Sequence, residues 1–201
     1  MKKQILMIAG MFIAMLFGFQ MESMAQLQTP AASPAAFVSQ NVGFTKISID
    51  YSSPAVKGRK IFGEIEKYGV TWRAGANAAT MIEFSTAVNV GGRNLRPGKY
   101  SLFMTPEASG EWTVRLNAKG NSVFNYMKDG KIDEEALAKD DVVAFKVKAD
   151  KLSSVQERLQ YTISAENNKT AKITMSWENV SISFMVDTQV DQKMDAFKAA
   201  F

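Results

Sequence analysis

A chain of 201 residues is long enough for one domain with a sizeable core. It holds no histidine and no cysteine, which excludes a Ser-His-Asp triad, a thiol nucleophile, disulfides and the usual zinc ligands. Lys and Arg total 24 against 20 Asp and Glu, a mild excess scattered without a basic run, so no nucleic-acid partner is expected.

In chain order, residues 1–25 have the form of a signal peptide. Lys2 and Lys3 precede an apolar run from Ile5 to Phe19, and Ser23-Met24-Ala25 puts small residues at the −3 and −1 positions of a cleavage site. The mature chain is expected to begin at Gln26 in the periplasm or outside the cell, with no further segment able to span a membrane. Residues 26–36, rich in Pro, Ala and Ser, read as a flexible lead-in.

From Phe37 the apolar residues alternate. Val42, Phe44, Ile47, Ile49 and Tyr51 predict a strand that slips near Lys46 and ends at Pro54 and Gly58. A short helical insertion is expected near 59–66. Strand-like runs follow at Thr80–Val90, Lys99–Met104 and Glu111–Asn117, separated by turn signals at Gly91-Gly92, Pro97-Gly98 and Pro106–Gly110. Asn121–Lys139 breaks this rhythm with Phe124, Tyr126 and Met127 and then a short helix near 132–140. Strands are expected again at 142–149, 156–166, 170–178 and 180–187, with Asn167-Asn168 as a hairpin turn. Val190, Met194, Phe197 and Phe201 have helical spacing, so 188–201 reads as an amphipathic tail. The sum is one all-β domain over 37–187, an antiparallel β-sandwich or flattened barrel of about eight to ten strands.

Motifs that carry chemistry are sparse. Asn125–Ala136 has the outline of a calcium loop, but Met127 and Ala136 stand where oxygen ligands belong, so no metal site is expected. Phosphate-binding glycine loops are absent and no cofactor is expected. Glu64, Glu66 and Glu83 are the carboxylates nearest the middle of the chain, where a pair would serve hydrolysis.

The densest set of unexplained residues lies in Tyr51–Thr80. Arg73 offers a planar fork for a carboxylate, phosphate or sugar hydroxyl, Trp72 and Tyr51 offer rings, and Arg59 and Asn77 offer further donors. These five residues are the candidate ligand-binding set. The competing reading is structural: Trp72 in the core, Asn77 bonded to backbone, and Arg73 paired with an acid such as Glu83.

Several stretches resemble the domain of unknown function 2911 family of bacterial secreted proteins. They are SQNVGFTKISIDYSSPAVKGRKIFG, YGVTWRAGANAATMIEFS, VNVGGRNLRPGKYSLFMTP, the EWTV after it, and ITMSWENVSISFMV, in order from Ser39 to Val186. The resemblance implies a secreted or envelope β-rich domain and supplies no activity, substrate, cofactor or catalytic residue. The tail after Asp187 lies outside its pattern.

Three functional readings stay open at this point. The first is a non-catalytic binding module for a small polar or glycan ligand. The second is a structural or assembly partner in the envelope, with an apolar patch on the tail. The third is a carboxylate-dependent hydrolase. Oligomeric state is not legible.

Overall fold

The computed structural model describes residues 29–200, and the architecture below belongs to the unit Ala31–Phe201. The signal-peptide expectation for residues 1–25 lies outside the described residues, as does Phe201. Among the described residues no helix is long and apolar enough to cross a membrane.

The strands are β1 (Ala35–Val42), β2 (Thr45–Ser52), β3 (Met81–Phe84), β4 (Val88–Val90), β5 (Arg93–Leu95), β6 (Gly98–Thr105), β7 (Glu111–Asn117), β8 (Met127–Lys128), β9 (Lys131–Ile132), β10 (Asp141–Ala165) and β11 (Thr170–Asp187). A 3₁₀ turn covers Val123–Tyr126, and the helices are α1 (Glu134–Asp140) and α2 (Val190–Lys198). Nine strands form one antiparallel sheet in the order β1-β2-β3-β6-β7-β10-β11-β4-β5, while β8 and β9 make a separate hairpin. Strand β1 opens at Ala35, inside the stretch expected as lead-in, and Ser53 N–H donates to Pro34 O.

Strand β10 makes this sheet a sandwich. Its first part pairs with β7 from Asp141 to Lys148, and its remainder pairs with β11 from Ala149 to Ala165. A straight strand of this length would run about 80 Å, too long for the domain. Register shifts between Lys151 and Gln160 bend it, so its two halves serve two leaves. Ile47, Ile82, Leu102 and Val114 from one leaf share a core with Val88, Ile173, Ile182 and Val186 from the other. The separate strands expected at 142–149 and 156–166 are thus one bulged strand. Those expected at 170–178 and 180–187 likewise merge into β11, whose break is confined to Glu178 at φ 56°.

The turn signals hold in detail. Gly91 and Gly92 both have positive φ, as a two-residue hairpin between strands of right-handed twist requires. Asn167 Oδ1 accepts from the backbone N–H groups of Lys169 and Thr170 in the β10–β11 connection. The helix near 132–140 is α1, capped by Asp133 through Ala136 N–H. Near 59–66 no helix forms. The N–H groups of Ile65 and Glu66 both donate to Ile61 O, giving a single turn. Gly63 sits inside this turn at φ 95°, which an α-helix does not allow, with a Tyr68 ring carbon 2.6 Å from where a Cβ would stand.

The tail forms α2, with no buried residue. Its anchor is Lys193, whose ammonium donates to Thr45 Oγ1, Thr86 Oγ1, Ala87 O and Thr188 O.

Both faces of β6 are covered. Leu102 and Met104 enter the main core, while Phe103 joins Val123, Tyr126 and Leu137 in a second cluster. The segment that broke the strand rhythm therefore packs on the outside of the sheet.

Candidate functional site

Residues 69–73 run beside the end of β6. Trp72 N–H donates to Met104 O at 2.8 Å, Met104 N–H returns to Trp72 O at 3.0 Å, and Gly69 N–H reaches Pro106 O. Neighbouring side chains of an extended segment point to opposite faces. Trp72 turns into the core at 4% exposure, against Phe62 and in a stack on Trp177. Thr71 bonds Thr105 Oγ1 at 2.8 Å and donates to Glu134 Oε1 at 2.7 Å.

Between this segment and the outer layer lies a cavity of about 690 Å³. One wall is Ile65, Glu66, Val70, Thr71, Trp72 and Arg73. The other comes from the 3₁₀ turn, the β8–β9 hairpin and the start of α1, through Phe124, Met127, Ile132 and Glu134. The hairpin turns at Asp129-Gly130, both with positive φ, where the calcium-loop outline lay. Four large apolar side chains are left exposed on these walls: Ile65 at 43%, Val70 at 44%, Phe124 at 54% and Met127 at 46%.

The cavity's polar groups differ in how well they are satisfied. Glu134 is engaged: Arg115 reaches it at 3.1 Å and also holds Asp141 at 2.7 Å. Burial pushes Asp141 above the usual carboxylate range, with the Arg115 hydrogen bond and charge opposing. Arg73 is not engaged. Its guanidinium lies 4.9 Å from the Phe124 ring centroid, and its buried Nε has no hydrogen-bond partner. Among the described residues no carboxylate lies within ion-pair distance of it. Glu66 stands on the same wall, its backbone fixed by Ile61 and Gly63. Loss of solvent raises its pKa from 4.5 to about 7, against the attraction of Arg73.

The candidate ligand-binding residues from the sequence divide here. Trp72 and Arg73 line the cavity; Tyr51, Arg59 and Asn77 do not. Tyr51 packs edge-on against Tyr161 at 5.0 Å, and its Oη accepts from Tyr161 N–H. Arg59 donates to Ala55 O and Val56 O, closing its own turn. Asn77, at φ 55°, donates to Ser33 O and Ser52 Oγ. Glu83 faces Lys99 at 3.5 Å rather than Arg73. The residues that the binding set lacked are Glu66, Phe124, Met127 and Glu134. Their signal was the apolar Phe124 and Met127 in a segment that fits no strand, where a solvated turn would carry polar residues.

A family model for proteins of unknown function (DUF2911) matches residues 33–186. The chain belongs to the DUF2911 family. No curated protein and no solved structure matches it. The DUF2911 match takes in every cavity residue and stops at the end of β11, so α2 stands outside it.

The arrangement has two chemical uses. Two carboxylates on one cavity, one of them with its pKa raised to about 7, are the parts of an acid–base pair. Glu134, however, is already held by Arg115 and Thr71. What remains uncommitted is a cation with an open donor, a protonatable carboxyl and apolar walls.

Proposed function

We propose that this protein is an exported, non-catalytic binding module whose cavity takes a small molecule with a mainly apolar body and one polar end. The observation that carries the reading is the convergence of Ile65, Val70, Phe124 and Met127, exposed on two separate segments, upon one cavity with the unpartnered Arg73 Nε. A volume of about 690 Å³ falls within the range of small-molecule sites. Tyr51 and Trp72 are both packed on other rings, so a sugar platform is the weaker form of this reading. Export rests on the N-terminal sequence pattern.

A titration with butanol, hexanol and octanol, read by calorimetry, tests the apolar body. Each methylene that leaves water adds about 0.8 kcal/mol, close to a fourfold gain in affinity. Met127→Glu or Val70→Glu should flatten the series. A flat series in the unaltered protein would overturn the reading.

The assembly-partner reading draws on a different patch. Phe44 and Met194 stand 56% and 37% exposed around a smaller hollow on α2. Replacing both with Ser and following sedimentation tests it: an unchanged sedimentation coefficient removes this support.

A further inference from the structure

We propose that the polar end of the ligand is a carboxylate, held by the Arg73 guanidinium and by the Glu66 carboxyl on the same wall, so that the cavity selects a small amphipathic monocarboxylate. This rests on the reading of the cavity as a site for a mainly apolar molecule and names the head group it selects.

The argument begins with Arg73. A buried guanidinium donor without an acceptor is costly, and native structures seldom leave one so. The Arg73 guanidinium carbon lies over the Phe124 ring, 4.9 Å from its centroid, and the buried Nε–H is left without an acceptor. Glu66 lines the same cavity as Arg73, whose charge lowers its pKa. Even so, it forms no ion pair with Arg73 within 4 Å. The turn at Ile61–Glu66 fixes its backbone. Because desolvation outweighs the attraction of Arg73, Glu66 takes up a proton near neutral pH.

A planar carboxylate matches both groups. It accepts from the guanidinium edge and, from Glu66, a charge-assisted O–H···O⁻ bond. The proton comes from solvent, and the bound carboxylate then lies between the Arg73 cation and a neutral Glu66 acid.

Other head groups fit less well. An ammonium meets Arg73 and the lining Lys67 and Lys131. A dianionic phosphate meets Glu66 if that group is ionised, and also Glu134, whose charge Arg115 offsets. An alcohol brings one weak acceptor to a charged donor. These charged groups, Lys67, Arg73, Lys131 and Glu134 with Arg115, are the ones that face the cavity around Glu66. The walls of Ile65, Val70, Phe124 and Met127 take the hydrocarbon part.

The test is calorimetry of the full-length chain with octanoate, octanol, octylamine and octyl sulfate, in two buffers of different ionisation heat. Octanoate should bind at least about tenfold tighter than the others. At about pH 8, where Glu66 is mostly ionised, octanoate binding should take up close to one proton, and at about pH 6 close to none. Glu66→Gln should keep octanoate binding and lose the uptake. Arg73→Leu should leave octanoate no tighter than octanol, and Arg73→Lys should recover part of the preference.

Equal or tighter binding of octanol, octylamine or octyl sulfate would overturn the carboxylate assignment while the apolar reading stands. Proton uptake that persists in Glu66→Gln would overturn the role of Glu66. Failure of all four probes would overturn the underlying reading and this inference with it.

Discussion

Residues 74–80 and residues 65–73 adjoin in the chain and differ in how fully their polar side chains are matched. In the first run the atoms are matched. Ala74 O accepts from Tyr161 Oη and Thr80 Oγ1, Gly75 O accepts from Trp72 Nε1, and Asn77 is tied to Ser33 and Ser52. Ala74 and Asn77 keep positive φ under these bonds, a strain held by its surroundings. In the second run Arg73 Nε is unmatched, Glu66 is desolvated and large apolar groups face solvent. A motif dense in unusual residues can thus be mostly scaffold, with the unspent chemistry at its border.

Several substitutions would sharpen or break this contrast. Trp72→Ala removes the ring shared with Phe62 and Trp177 and should cost about 3–5 kcal/mol. A thermal melt should fall by roughly 10 °C or more. A minor shift would mean the aromatic cluster does not hold this segment.

Asn77→Ala loses two hydrogen bonds at a left-handed backbone position and should cost about 1–3 kcal/mol in urea unfolding.

Glu66→Gln has the opposite sign. Glu66 ionises near 4.5 when unfolded and near 7 when folded, so between these values the folded state holds more protons. Its contribution to stability falls as pH rises through that window. Above pH 7 the Gln variant should be more stable by about 1–2 kcal/mol, after allowance for solvent at the cavity mouth, and below about pH 4.5 the gain should vanish. Melts across pH would show the difference opening with rising pH; a constant gap would point to packing instead.

Arg73→Leu should change stability least, by about 1 kcal/mol in either direction, because the buried Nε it removes makes no hydrogen bond. If it melts as far below the unaltered protein as Asn77→Ala does, the distinction between the two runs fails.

The strand alternation was legible because both leaves bury one face: Trp112, Val114 and Leu116 lie inside with Thr113 and Arg115 between them. The glycine and asparagine turns were legible because their backbone angles admit few residues. The continuity of β10 was not, since a bulge between Lys151 and Gln160 looks locally like a turn, and only the partner strand reveals that pairing resumes. The cavity was harder still. Arg73 and Trp72 stood out by type, but Glu66 was one acid among many and became unusual only through its burial in the finished fold. The 59–66 helix failed at Gly63, whose place is dictated by the Tyr68 ring.

The segment that carries Arg73 also has a position in time. Ser53 Oγ donates to Leu159 O, 106 residues on; Ile61 N–H rests on Glu178; Trp72 stacks on Trp177. As the chain is synthesised from its N-terminus, the residues that brace this wall arrive near the end. A nascent chain stopped at Ala165 would possess every lining residue of the cavity but lack Trp177 and Glu178, which brace its wall. Such distant pairing slows folding and lengthens the interval in which apolar side chains stand unprotected. Ile65, Val70, Phe124 and Met127 are exposed even in the finished fold, so for these four side chains that interval does not end when folding is complete.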